Sequence, residues 1–289
     1  MQDSVTITRQ SASNLALSFI ALGREKRKAM AVLYAFCREV DDVADEDSHS
    51  VEERRDNLKC WRDDVRRACE GDEPKKALNK ELKPVAEKYG LPFSLFDELI
   101  QGVEMDLNQD RYKSWEDLDL YCHRVASVVG LLSIEIFGYR DKGCCKYAHH
   151  LGRALQLTNI LRDVRNDAAR SRIYLPIEIL KKHNVDEADV LNLKYTDGFY
   201  QVASEVAARA RDHYQKAAES LPEIDRHSMV AAESMGAVYW QLFRRIECKR
   251  FSVLGAEPIR LRKFHKIWLV LRTWGRIRLG SKMSNYGVD

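Results

Sequence analysis

Proline and glycine are scarce. This chain of 289 residues has six prolines and fourteen glycines, too few for a fold broken by frequent turns. Strand signals are scarce too: no stretch keeps up an apolar/polar alternation, and no Asn-Gly or Asp-Gly pair sits between β-branched runs. That removes all-β classes from first consideration. The seven cysteines are odd in number, contain no Cys-x-x-Cys, and include the vicinal pair Cys144-Cys145. Zinc spacing and an ordinary disulfide framework are thereby excluded, and reduced thiols in the cytoplasm are expected. The N-terminus has no apolar core of signal-peptide type. No apolar run approaches the roughly eighteen residues of a membrane span; Ile267-Trp-Leu-Val-Leu271, for one, is far shorter. A Gly-x-Gly-x-x-Gly, a P-loop, a His-Glu-x-x-His and a Ser/His/Asp order are all missing, and no histidine pair has metal-ligand spacing. Without a recognisable nucleic-acid motif, nucleic acid is not expected as a partner.

What remains is helical periodicity, nearly continuous from end to end. An all-α fold is expected, as a single domain over 1–289 with a loose N-terminus at 1–12 and a basic C-terminal segment at 260–289. Two stretches stand out. In Gln156-Leu-Thr-Asn-Ile-Leu-Arg-Asp-Val-Arg-Asn-Asp167, residues Gln156, Asn159, Asp163 and Asp167 form one polar stripe on a helix. In Leu33-Tyr-Ala-Phe-Cys-Arg-Glu-Val-Asp-Asp-Val-Ala-Asp45, residues Tyr34, Arg38, Asp41 and Asp45 do the same. Each stripe is flanked by apolar residues. Carboxylates at i and i+4 repel by a few tenths of a kcal/mol, and a divalent cation would reverse that. An isolated pair of this kind is usually a solvated face. Two pairs, each inside an apolar run with Arg beside it, point instead to an oxygen cage for a hard cation such as Mg2+.

In order along the chain, Ser11-Ala-Ser-Asn14 predicts a helix cap and, as an alternative, a phosphate contact. Helices are predicted over about 25–46, 51–70, 75–89 and 93–109. In the last, Gly102 and Asp106 share a face, suited to close approach of a ligand or of another helix. Ser114-Trp-Glu-Asp117 predicts a capping box opening a helix to Phe137. Its small residues Ala126, Ser127 and Gly130 suit either a channel for an apolar chain or close helix packing. A helix over 142–168 carries the second stripe. The segment Ala169-Arg-Ser-Arg-Ile-Tyr-Leu-Pro176 beyond it could fold over phosphate. Short helices at 177–195 precede long ones over 196–220 and 226–252. From Arg244 to Lys282, twelve Lys or Arg face two acids, which suggests a phosphate-bearing ligand or an anionic surface. The segment 260–278 mixes these cations with Trp268 and Trp274. It fits either a membrane surface or an ordinary basic helix.

Four blocks in order resemble the squalene/phytoene synthase family of head-to-head prenyl synthases. They are Tyr34 to Asp45, Tyr121-Cys-His-Arg-Val-Ala-Ser-Val-Val-Gly130, Gln156 to Asp167, and Arg172-Ile-Tyr-Leu-Pro176. The resemblance implies an isoprenoid-synthase helical bundle with a central cavity. It implies Mg2+, with Mn2+ as a substitute, held by Asp41, Asp45, Asp163 and Asp167 with Asn159. It places Tyr34, Arg38, Arg162, Arg172 and Tyr174 on diphosphate, Gln156 near the reacting carbons, Tyr239 near a second site, and Ala126, Val129 and Gly130 along the prenyl channel. Asn14 falls at the first phosphate contact, where Leu15 replaces a common aromatic.

The implied reaction joins two prenyl diphosphates through a cyclopropylcarbinyl diphosphate. Farnesyl diphosphate giving presqualene diphosphate is the first expectation, and NADPH enters only if the reaction continues to squalene. Phytoene synthesis from geranylgeranyl diphosphate, a terpene cyclase and a non-enzymatic helical scaffold are the alternatives. Contact with the inner face of the membrane and with downstream isoprenoid enzymes would follow from such lipid substrates.

Overall fold

The computed structural model describes residues 18–46 and 48–287. Helices dominate, and among these residues there is no β-strand, only an isolated bridge between Arg111 and Ile173. In chain order the helices are α1 (Arg24–Asp45), α2 (Val51–Glu70), α3 (Ala77–Tyr89), α4 (Phe93–Asn108), α5 (Trp115–Cys122), α6 (Val128–Phe137), α7 (Gly143–Ala169), α8 (Ile177–Lys182), α9 (Glu187–Leu191), α10 (Asp197–Ser220), α11 (Val230–Cys248) and α12 (Lys263–Arg278). The expected helix positions hold to within a few residues. The cap at Ser11–Asn14, with Leu15, lies outside the described residues.

Local chemistry sets the boundaries. Ser50 closes a full capping box with Glu53 at the start of α2. At α5 the expected box is only half formed. Ser114 accepts from the Asp117 N–H, but the Asp117 carboxylate turns to the Lys113 N–H instead. The helix expected from 226 begins at Val230. Before it, Pro222 opens a short turn whose buried Asp225 accepts from the backbone of Arg140 and Asp141, at 2.9 and 2.8 Å. That carboxylate ties the α6–α7 loop to the start of α11.

Helices α5 and α6 are one continuous rod interrupted by a π-turn at His123–Ser127. The rod, Trp115–Phe137, is long and apolar enough to cross a membrane by length and composition. This corrects the expectation that no segment approaches that length, because its scattered charges break every uninterrupted run. It packs against α1, α4 and α7 with half of its most apolar stretch buried, the pattern of a core helix in a folded domain. Glycine allows the closest contacts. A Cβ on Gly102 would meet Arg124 Cβ at 2.7 Å, and one on Gly152 would meet Ser127 Cα at 2.7 Å. Gly102 and Ser127 therefore serve helix packing. Burial of aliphatic and aromatic side chains along α1, α7, α10 and α11 forms a continuous core, the main favourable contribution to folding. All seven cysteines are free.

Candidate active site

Between α1, α6, α7 and α11 the core opens into a cavity of about 340 Å³. Its walls are apolar for most of their length. Val125, Ala126, Val129, Gly130 and Ser133 line one side, and Ala148, Leu151, Gly152 and Leu155 another. Met30, Phe137 and Tyr147 close the far end, and Tyr34, Arg38, Asp41, Gln156, Asn159 and Tyr239 form the polar end. Of the three expected channel residues, Ala126, Val129 and Gly130, all line this cavity. The helices explain the polarity gradient. On α7 the lining residues run from Tyr147 to Asn159, and on α1 from Met30 to Asp41, so each acidic stripe begins where its helix passes the mouth.

At the mouth the two stripes meet around a residue that sequence reasoning did not assign to the site. Asp106, from α4, accepts the Tyr174 hydroxyl at 2.7 Å and the Tyr121 hydroxyl at 3.1 Å. Burial raises its pKa, and those two donors with Arg172 hold it back. Its charge is felt by Asp41 on α1 and by Asp167 on α7. Asp41 is pushed up to about 7, first by surrounding protein and then by Asp106, Asp45 and Asp42, against Arg38. Half of its side-chain surface still faces the cavity, so water there offsets part of the crowding. Asp167 is also raised to about 7, by burial and then by Asp163 and Asp106, against Arg172 and Arg162.

The arginines occupy the carboxylates in the meantime. Arg38 pairs with Asp42 at 2.7 Å and lies 4.0 Å from Asp41. Asp45 takes Arg170 at 2.9 Å and Arg172 at 3.3 Å. Arg170 was not foreseen as a site residue, although it lies in the basic segment expected to fold over phosphate. Arg162 grips its neighbour Asp163 through Nε at 2.8 Å and a second, shorter contact. Tyr174 stacks on Tyr112, with ring centroids 5.5 Å apart, which fixes the hydroxyl that reaches Asp106.

A second, cationic cavity of about 680 Å³ adjoins the first and shares Tyr239 with it. Arg162, Asp163, Arg165, Asn166, Arg260 and Lys266 line it. Lys266 has its pKa lowered, by burial and then by Arg162 and Arg260. Cations held close enough to repel one another suit an anion between them. The excess of Lys and Arg after residue 244 signalled such a site without specifying which residues form it.

The donor set suits a hard cation. It is all oxygen, and the Oδ1 of Asn159 is buried with no hydrogen-bond partner, while its amide nitrogen points to Gln156 at 3.3 Å. Among the described residues no three acidic, histidine or cysteine side chains come close enough to hold an ion alone. Mg2+ commonly completes its shell with water and substrate phosphate, so one or two carboxylates from each stripe suffice.

Comparison with known proteins places this geometry. The profile of the squalene/phytoene synthase family matches residues 8–265. A presqualene diphosphate synthase from Rhodopseudomonas palustris is 37% identical over 252 residues, 87% of this chain and 89% of that protein. A phytoene synthase from Mycobacterium tuberculosis is 34% identical over 240 residues, 81% of this chain and 77% of that one. A crystal structure of a dehydrosqualene synthase with ligand shares the fold, with a TM-score of 0.85 at 23% identity, covering 96% of this chain and 97% of its own. A squalene synthase from Alicyclobacillus acidocaldarius superposes with a TM-score of 0.75 at 26% identity, over 86% of this chain and 93% of that one.

Proposed function

This chain belongs to the squalene/phytoene synthase family of prenyltransferases that join prenyl diphosphates head to head, and we propose that it condenses two farnesyl diphosphates to presqualene diphosphate with Mg2+. The depth of the apolar cavity carries the choice of substrate. Lining residues on α7 span Tyr147 to Asn159, about 18 Å at the helical rise of 1.5 Å per residue. An extended farnesyl chain measures about 15 Å from ordinary bond lengths, and a geranylgeranyl chain about 20 Å. The shorter chain fits between the polar mouth and the floor at Met30, Phe137 and Tyr147, whereas the longer one does not fit without bending. The identity to a presqualene diphosphate synthase supports the same choice.

Diphosphate leaves as its charge is neutralised. Mg2+, when bound by Asp41, Asp45, Asp163, Asp167 and Asn159, supplies that neutralisation as a Lewis acid. Arg38, Arg162, Arg172 and Tyr174 surround the departing group and stabilise the negative charge that builds on it. To do so, Arg162 and Arg172 release Asp163 and Asp45, exchanging a carboxylate for a phosphate. Arg165, Arg260 and Lys266 hold the second diphosphate in the cationic cavity, with Tyr239 between the two substrates. The allylic cation is kept from water by the walls at Val125, Ala126, Val129 and Leu155. Gln156 lies at the border of the apolar and polar ends, where the two C1 regions meet. Attack by the second double bond and loss of one proton close the cyclopropane, so that two substrates give presqualene diphosphate, diphosphate and a proton.

Product analysis tests the proposal. Purified protein is incubated with Mg2+ and either farnesyl or geranylgeranyl diphosphate, with and without NADPH, and the lipids are extracted. Presqualene diphosphate from the farnesyl substrate is expected, with turnover abolished in a folded Asp163→Ala variant. Phytoene from the longer substrate, or full activity in Asp163→Ala, would overturn it. Squalene appearing only with NADPH would extend the product by one reductive step.

A further inference from the structure

Helix α12 buries one face and leaves the other bare. Leu269, Val270, Thr273 and Ile277 are buried. On the opposite side Phe264, Trp268 and Leu271 follow one another at helical spacing and are 86, 53 and 57% exposed. Large apolar side chains gathered on one open face, on a helix whose other face is already packed, mark an interaction surface.

The charge around this stripe decides what covers it. From Pro258 to Gly287 there are eight Lys or Arg and no Asp or Glu. Lys263 and Arg272 flank the apolar stripe, and the Arg272 guanidinium lies over the Trp268 ring at 5.2 Å. An aromatic and aliphatic body with a cationic rim is the arrangement of a helix that lies in a membrane interface. A second copy of this chain would bring the same cations against each other across a two-fold contact. Anionic headgroups would neutralise them, each cation near the surface adding to the attraction.

We propose that α12 docks the protein on an anionic lipid bilayer, with Phe264, Trp268 and Leu271 in the acyl boundary and Lys263 and Arg272 among the headgroups. The docking stands on this surface alone. Its use rests on the reaction proposed above. The first turn of α12 also carries Lys266, on the opposite side of the helix, into the cationic cavity, so a docked protein holds that cavity one helix-width from the membrane. Amphipathic prenyl diphosphates and a more apolar product could then exchange with the bilayer beside it.

The test uses the full chain and sedimentation with vesicles, either of phosphatidylcholine or of phosphatidylcholine with about a third phosphatidylglycerol. Wild type is expected to pellet with the anionic vesicles and to be released by high salt. The triple variant Phe264→Ser, Trp268→Ser, Leu271→Ser is expected to bind about tenfold more weakly, with unchanged circular dichroism and unchanged turnover of detergent-dispersed substrate. Equal binding by the variant, or no binding by wild type, would overturn the proposal. So would sedimentation velocity showing a wild-type dimer that the triple variant dissociates, because the stripe would then be a protein interface. Vesicle binding is measured without substrate, so it succeeds or fails independently of the product assay.

Discussion

Tyr174 donates its phenolic hydrogen to Asp106 at 2.7 Å, and this bond anchors the acid that sits between the two acidic stripes. The segment after α7 is thereby tied to α4, and Arg172, two residues before Tyr174, is brought to Asp45. One hydrogen bond thus couples the position of an arginine proposed to bind diphosphate to the arrangement of the carboxylates proposed to hold Mg2+.

Replacing Asp106 should therefore change metal dependence more than stability. In Asp106→Asn, Tyr174 and Tyr121 keep an acceptor, but one negative charge leaves the mouth. The Mg2+ concentration for half-maximal turnover is expected to rise about tenfold, equivalent to about 1.4 kcal/mol, with little change in the unfolding midpoint. An unchanged Mg2+ titration would reduce Asp106 to a packing residue.

Phe137 closes the apolar cavity and is itself buried. Phe137→Ala should lengthen the cavity and shift preference from farnesyl toward geranylgeranyl diphosphate. The cavity left behind should also cost about 3–5 kcal/mol. Competition between the two substrates, assayed below the variant's melting temperature, gives the ratio. An unaltered ratio would mean that chain length is not set at this floor.

Behind the floor, Glu233 is 1% exposed and gathers hydroxyls and a guanidinium. Tyr147 reaches it at 3.0 Å and Arg226 at 3.3 Å, and Tyr286 donates to it as well. Burial pushes its pKa up, and these donors oppose that shift. Glu233→Ala would leave Arg226 charged and buried without its carboxylate, though still bonded to Ser284, at a cost of about 3–5 kcal/mol. Tyr286→Phe removes one donor and should cost about 1 kcal/mol. Denaturant midpoints measured on both variants check the ordering, and equal effects would contradict it.

Acid should act through the histidines between α7 and α10. His213 is held down to about 3, by burial and then by His150 and Arg153. His149 is held down to about 4, by burial and then by Arg153 and His123. In the unfolded chain both take up protons from about pH 6.5 downward. Between that pH and about 3 the unfolded state binds more protons, so stability falls as pH falls. Asp41 and Asp167, raised to about 7, contribute with the opposite sign over about pH 4–7. The paired variant His149→Asn, His213→Asn separates the two effects. Wild type should lose stability relative to that variant from pH 7 to pH 5, and a constant difference would exclude the imidazoles as the cause.

The acidic stripes were legible because i,i+4 spacing inside an apolar run maps directly onto one helix face; Asp41 lines the apolar cavity and Asp163 the cationic one, while Asp45 pairs with Arg170 and Arg172. Val129 was reached only through the resemblance. Ala126 and Gly130 were legible as small residues in an otherwise bulky segment, although Ser127 from the same reading packs against Gly152 instead. Asp106 was not, because a lone acid on an amphipathic helix has no periodic partner, and its role depends on α1 and α7 arriving from either side. Lys266 and Arg260 were visible only as part of a basic excess, since which cations converge depends on how the loop after α11 returns to the bundle. The half-formed cap at Ser114 shows the same limit. The sequence pattern of a capping box was present, but Asp117 had a competing N–H, that of Lys113, within reach.

The π-turn at His123–Ser127 gives one wall of the cavity slack in residue count. A wider turn accommodates one more residue than an ordinary α-turn. Loss of one residue there would let the rod wind as plain α-helix while leaving the residues after it on the faces they now occupy, because the wider turn absorbs the roughly 100° that one extra residue adds. Val129, Gly130 and Ser133 would go on facing the cavity, and the residues of the turn itself would take up the change. A deletion farther along α6 has no such slack and would turn the rest of the rod by about 100°, so the π-turn is a place where residue count can change without moving the cavity wall.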